Sequence, residues 1–186
     1  MASENLRRQL ESFLHKLGIE FDCVEHPEVF TVDEMMPHVS HLLGAHTKNL
    51  FLRDKKRGGL WLVTALHDRS LPLGSLSKRL GLGSGSLRFT DELAMREALG
   101  VGAGCATALA LYRDSADFNA PGEPGSRPKV TFVLDAEIAS EQGPYERVYC
   151  HPMSNAATLG MRTPDFMRFV RATGHEPVIV DFSDLK

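Results

Sequence analysis

The sequence predicts an α+β fold, a single domain with a central mixed, largely antiparallel sheet and flanking helices. Two observations carry that expectation. The chain of 186 residues, 42% apolar and 24% charged, has the size and composition of one domain around one core, so residues 1–186 are read as a single unit. Its β-prone runs and hairpins are interleaved with single helices, in place of the strict strand–helix alternation that a doubly wound nucleotide fold requires. No internal repeat or heptad pattern interrupts this order.

The elements follow along the chain. Residues 4–17 place Leu6, Leu10, Phe13, Leu14 and Leu17 on one helical face, and Gly18 stands where a helix stops. Thr31 with Glu34 three residues later makes a capping box for a short helix through Val39. Residues 49–53 and 60–66 are apolar runs joined by the charged turn 54–59, which ends in Gly58-Gly59, and together they read as a β-hairpin. Residues 71–80 suit another helix. Gly81, Gly83 and Gly85 then mark a loop, Thr90-Asp91-Glu92 opens a helix that ends at Gly100, and a second glycine loop runs through Gly102 and Gly104. Residues 105–112, 129–137 and 147–151 read as three strands, the first two separated by a Pro, Gly and Ser rich exposed loop at 113–128. Thr163 reads as an N-cap before Pro164, with Phe166, Phe169 and Val170 on the apolar face of a helix stopped by Gly174. Residues 178–182 close the chain as a last strand.

Composition excludes several classes. The first residues alternate polar and apolar groups at helical spacing, unlike a signal peptide, and no stretch approaches the roughly 20 apolar residues of a membrane span. A soluble cytoplasmic protein with no membrane partner is the expectation. Cys23, Cys105 and Cys150 are an odd set without a Cys-x-x-Cys pair, which argues against a disulfide framework or a thiolate zinc site. A net charge of −3 disfavours broad nucleic-acid binding. Positive charge is nonetheless local: Arg53, Lys55, Lys56 and Arg57 crowd one turn downstream of Lys48, and Lys78, Arg79 and Arg88 bracket a second loop. Such a patch reads as a solvated turn or as a contact for the end of an RNA.

Candidate chemistry sits at a few places. Lys48-Asn49 precedes Leu50-Phe51-Leu52, so a cation able to hold phosphate and a carboxamide able to fix a carbonyl stand at a strand mouth; a plain polar strand end is the competing reading. His151 ends a strand before Pro152 and a run of small polar residues, where an imidazole can bond a substrate hydroxyl, position water, or merely satisfy nearby backbone. His26, in Glu25-His26-Pro27, can line the same cleft. His38 and His41 have a spacing that can serve metals but lack a third ligand, so neither a metal nor a cofactor is expected. The Gly81–Ser86 loop lacks the Lys-Ser/Thr of a P-loop. The Gly100–Gly104 loop can present backbone amides to a small ligand or simply turn from helix to strand. No nucleophile elbow or activated cysteine is evident.

In their order these motifs resemble the YbaK/prolyl-tRNA-synthetase-associated editing family, and within it the stand-alone ProXp-ala (PrdX) type. The residues that carry the resemblance are Glu25-His26-Pro27 with Phe30-Thr31-Val32, Lys48 to Leu52 with Asp54-Lys55-Lys56, Leu87-Arg88-Phe89, the glycine loop before Cys105-Ala106-Thr107, His151-Pro152 with Asn155 and Thr158, and Gly174-His175 with Pro177. It covers residues 5–183. What it implies is a trans-editing hydrolase that deacylates alanyl-tRNA for proline, with the ribose hydroxyl next to the ester helping to activate water, and with no metal or protein nucleophile. Lys48 is implied to contact the tRNA end, Asn49 the ester, and His151 the pocket; His26, Thr31, Gly102, Ala103, Gly104 and Asn155 are expected around the substrate. The implied partner is the tRNA acceptor end, with prolyl-tRNA synthetase or an elongation factor beside it. Many relatives carry a proline in the glycine loop and a Thr-Pro after it, where this chain has Gly102-Ala103-Gly104 and Thr107-Ala108. Deacylation of cysteinyl- or seryl-tRNA, and an inactive tRNA- or synthetase-binding module, are the alternatives.

Overall fold

The computed structural model describes residues 2–115, 128–140 and 142–185. In chain order the elements are α1 (Ala2–Lys16), β1 (Phe21–Glu25), α2 (Val32–Val39), β2 (Ala45–Asp54), β3 (Leu60–Leu66), α3 (Leu73–Arg79), β4 (Leu87–Phe89), α4 (Glu92–Leu99), a 3₁₀ helix (Ala108–Asp114), β5 (Val130–Asp135), α5 (Ala136–Ala139), β6 (Arg147–Cys150), β7 (Ala157–Arg162), α6 (Thr163–Ala172) and β8 (Val178–Val180). The eight strands form one sheet in the order β1-β7-β6-β2-β3-β5-β8, with β4 added beside β2. It is mixed, as expected. The ladders β1/β7, β6/β7, β2/β3 and β2/β4 are antiparallel, while β2/β6, β3/β5 and β5/β8 are parallel.

The β2–β3 hairpin is the centre of this sheet, and strand alternation sorts its side chains between two cores. Ala45, Phe51, Leu62 and Leu66 face the larger core, which gathers Leu10 and Leu14 of α1, the whole apolar run of the 3₁₀ helix, and Phe166 and Phe169 of α6. Leu52, Val63 and Ala65 face the other side, covered by Leu76 of α3 together with Leu82, Leu87 and Phe182. A third, small cluster of Val29, Met35 and Val39 anchors α2.

The capping box forms as the sequence requires: Thr31 Oγ1 accepts from Glu34 N, and the Glu34 carboxylate accepts from Thr31 N. Several expectations are corrected. Residues 108–112 of the run expected as a strand belong instead to the 3₁₀ helix, capped by Thr107 Oγ1 accepting from Leu109 N. Ala108 to Tyr112 are buried all round, so no alternation was there to separate strand from helix. Arg113 and Asp114, expected in an exposed loop, belong to that helix; Asp114 is buried and accepts from the amides of Lys129 and Val130. Residues 116–127 of that expected loop lie outside the described residues. The strand expected through Glu137 ends at Asp135, which caps α5. Thr163 lies inside α6, after Arg162 as N-cap, and its hydroxyl donates to Tyr145 O. Strands β1, β4 and β7 and the first four residues of β2 were not anticipated.

Candidate active site

β2 is flanked on one edge by two different strands that do not meet. Parallel β6 pairs only with Ala45 and His46, and antiparallel β4 pairs only with Leu52 to Asp54. The sequence explains why β6 leaves. His151-Pro152 ends the strand, because proline has no amide to continue the ladder, and Met153 follows in a left-handed conformation at φ 64°. Thr47 Oγ1 donates to Tyr149 O at 2.8 Å, a side chain standing between the diverging strands. The β2/β3 register runs without a bulge from Thr47↔Leu66 to Arg53↔Leu60, and Phe51 O accepts from Thr90 N on the open edge. By alternation, Asn49 turns its backbone N–H and C=O to the same edge, in the gap between β6 and β4.

That gap is a cavity of about 300 Å³. Its floor is apolar, with Val29, Met35, Phe51, Met95 and Ala106, and its polar groups come from Thr31, Lys48, Asn49, Thr90 and His151, with Ala103 and Gly104 beside them. Asn49 is held from across the hairpin: Thr64 Oγ1, fully buried on β3, donates to Asn49 Oδ1 at 2.6 Å. The carbonyl end of the carboxamide is thereby occupied, leaving its NH₂ as a donor. His151 Nδ1 stands 3.2 Å from Ala157 O, a contact that requires the ring to donate there, so that in the neutral ring Nε2 is the acceptor. Burial lowers the His151 pKa, the Ala157 carbonyl opposes that, and nearby His26 lowers it further, which keeps the imidazole neutral near pH 7.

Lys48 and Asn49 are adjacent on a regular strand, so their side chains leave opposite faces of the sheet. The Lys48 ammonium donates to Arg69 O, and Arg69 is itself gripped by Asp135 at 3.0 Å and by Glu137. Desolvation lowers the Lys48 pKa, with Asp68 acting in the opposite sense. Thr31 lies at the rim with its hydroxyl already capping α2.

Three expected substrate contacts stand elsewhere. His26 lies behind His151, their ring centroids 6.5 Å apart; it stacks on His38 at 5.6 Å and bonds Pro27 O and Thr158 Oγ1. Asn155 is buried, and its Nδ2 donates to Val29 O at 2.9 Å while its backbone carbonyl accepts from Val29 N, so it clamps the Val29 segment onto the His151 loop. Gly102 faces α4, close to the Arg96–Glu92 ion pair, and only Ala103 and Gly104 of its loop line the cavity. Sequence reasoning missed Thr64, Phe30 and Phe89. The signal that could have found Thr64 is a polar residue in the apolar run 60–66, at the position that pairs with Asn49 across the hairpin.

Among the described residues, no group of three His, Cys, Asp or Glu side chains could hold a metal ion, and no helix is long and apolar enough to cross a membrane. Burial raises the thiol pKa at all three cysteines, to about 12 at Cys150 and about 11 at Cys23, so none is a ready thiolate.

Comparison with known proteins places this geometry. The family model of the aminoacyl-tRNA editing domain matches residues 26–169. A Xenopus laevis protein named prolyl-tRNA synthetase associated domain-containing protein 1 is 57% identical over 178 residues, covering 96% of this chain and 98% of its own length. The prolyl-tRNA editing protein ProX of Acetoanaerobium sticklandii is 27% identical over 162 residues, covering 87% of this chain and 88% of its own. A crystal structure described as that of a candidate trans-editing enzyme for prolyl tRNA synthetase superposes with a TM-score of 0.61 at 21% identity, over 95% of each chain. At that identity it bears on the fold, which it shares.

Proposed function

The chain belongs to the aminoacyl-tRNA editing domain family, and from that premise we propose that it is a trans-editing hydrolase that deacylates alanyl-tRNA for proline. The observation that carries the reading is the cavity at the open edge of β2, lined by both Asn49, whose carboxamide is oriented by Thr64, and His151, together with an apolar floor.

Each group has work to do on an aminoacyl ester. The Asn49 NH₂ donates to the ester carbonyl, whose oxygen gains charge as water attacks; a fixed donor there lowers the barrier because it need not reorganise. Neutral His151 offers Nε2 to a ribose hydroxyl or to the attacking water. The ester is already activated, so positioning a water and the neighbouring hydroxyl supplies much of the remaining catalysis. Lys48 meets the terminal phosphate by leaving the Arg69 carbonyl. Val29, Met35, Phe51 and Met95 receive the small side chain.

The need for such a reaction follows from size. A pocket built for proline cannot exclude the smaller alanine by size, and the binding energy of the two ring carbons that alanine lacks gives only limited discrimination, so a second sieve must remove the error. At about 300 Å³ the cavity has room for more than a methyl group. Discrimination against proline is therefore assigned to contacts at the α-amino group and floor, not to total volume.

The test is deacylation of alanyl-tRNA for proline beside the prolyl, seryl and cysteinyl forms, with Asn49→Ala as control. Loss of alanine with proline spared, and a fall of roughly 10²–10³ in kcat for Asn49→Ala, is expected. Survival of all four esters would leave a binding module, and faster loss of serine or cysteine would reassign the substrate.

A further inference from the structure

We propose that Phe30 and Phe89 form a stacking surface for the last two bases of the RNA whose ester enters the cavity. This rests on the hydrolase reading above only for the identity of the ligand. Among the described residues, Phe30, Leu43, Phe89, Leu93, Val178 and Ile179 are the large apolar side chains left exposed. The two that are aromatic, at 67% and 65% exposure, both line this one cavity.

Neither ring is exposed for want of anchorage. Phe30 precedes the N-cap of α2, where an apolar residue commonly folds back onto the first turn as a hydrophobic staple. Its backbone is fixed instead by Phe30 N donating to Glu34 Oε2 at 2.7 Å, and its ring lies over the loop, where a Cβ on Gly104 would sit 2.9 Å from Cδ1. Gly104 also has φ 78°, so a bare, left-handed residue is what lets the ring rest there. Phe89 is held from the other side of the cavity by its ladder position opposite Leu52 and by the Thr90 N to Phe51 O bond that follows it. Two hydrogen-bonded backbones thus present two apolar rings to solvent.

The occupant follows from the chemistry of the ester. An aminoacyl group on a terminal ribose brings the base of that ribose with it, one glycosidic bond away. With the ester at Asn49 and His151, the base must emerge at the cavity's mouth, beside whatever lines its rim. Phenylalanine has no polar atom to read a base edge, but its face stacks on any base, which makes the contact sequence-tolerant and worth about tenfold or more in binding per base. The rings hold the 3′ end in place while the polar groups inside act on the ester.

The test uses the full chain and a short single-stranded RNA ending in CCA, with 2-aminopurine as the last base. Binding is expected to quench the fluorophore. Phe30→Ala and Phe89→Ala are each expected to weaken binding, and to raise KM for alanyl-tRNA, by about tenfold with a smaller change in kcat. Phe30→Trp and Phe89→Trp should retain both, which separates stacking from a folding defect. The proposal is overturned if the RNA binds without quenching, if the alanine variants bind it as the wild type does, or if they lose affinity for prolyl-tRNA synthetase while keeping it for RNA, since the surface would then be a protein contact. Quenching by a wild-type chain that hydrolyses no ester would support the stacking surface and sink the hydrolase reading alone.

Discussion

Thr64 and Asn49 stand opposite each other in the hairpin, and one hydrogen bond decides what the site can do. With Oδ1 held, Asn49 can offer its substrate only donors; released, the carboxamide can rotate by half a turn and point an acceptor at the ester carbonyl. Thr64→Val keeps the shape and removes the hydroxyl. We expect kcat to fall roughly tenfold to a hundredfold with KM little changed, since misaligning a donor costs less than deleting it. Thr64→Ser should restore most of the rate, and stability should shift by about 1 kcal/mol. Equal kcat in Thr64→Val and wild type would show that Asn49 needs no such guide. His151 sets the pH dependence. Its folded pKa is depressed below the ordinary imidazole value of 6.5, so the unfolded chain takes up the proton first as pH falls. The contribution of His151 to stability is whole above 6.5 and is lost below it. Activity should follow the neutral ring: flat from pH 7 to 8, then declining with an apparent pKa below 6.5, and His151→Gln should flatten that limb. A limb centred above 6.5 would contradict the assignment.

At the scale of elements, the site depends on where β6 and β7 run, and that depends on how closely backbone can approach a ring. Tyr149 of β6 stacks on His46 at 4.9 Å and lies over Gly160 of β7, where a Cβ would fall 2.3 Å from Tyr149 Cε1. Gly160→Ala must displace that ring or part the two strands. We expect about 1–3 kcal/mol of destabilisation, read from denaturant midpoints, with a rise in KM because His151 follows directly on β6. A midpoint within error of wild type would mean that the strands give way freely. The same elements show what could be read from the sequence. The capping box at Thr31, the β2–β3 hairpin and the exit at Pro152 were legible because each depends on neighbours in the chain. β7 was not, since Ala157 to Met161 is buried throughout and carries a glycine, leaving no alternation. β1 and β4 are short strands that owe their form to partners far away in sequence. The positions of Lys48, Asn49 and His151 around one cavity were expected from the family resemblance. The opposite faces taken by Lys48 and Asn49 follow from strand alternation, but only once β2 is known to begin at Ala45. Asn155 and His26 read as substrate contacts from their motifs, yet both are spent on holding the Val29 segment and the His151 loop.

For the whole molecule, the proposed reaction asks a chain of net charge −3 to hold an anionic RNA. The answer lies in how far its charge is segregated. Lys55, Lys56 and Arg57 occupy the tip of the β2–β3 hairpin, seven to nine residues along the chain from Lys48. At about 3.3 Å per strand residue, that is on the order of 20 Å from the ester site, too far for the last nucleotide but within reach of the stem behind it. Binding should therefore divide into two parts: a stacked, phosphate-tipped 3′ end at the cavity, and a screened electrostatic contact at the hairpin tip. The triple substitution Lys55→Ala, Lys56→Ala, Arg57→Ala is expected to raise KM for full-length alanyl-tRNA without changing kcat. It should also reduce the slope of log affinity against log salt by about two to three, since each neutralised phosphate contributes nearly one to that slope. A short CCA oligonucleotide does not extend to the tip, so its affinity should be the same in the triple variant and the wild type. If the triple variant weakened the oligonucleotide as much as the tRNA, the charge would be acting on the 3′ end itself, and the division of the surface into a stacking mouth and a distant cationic tip would be wrong.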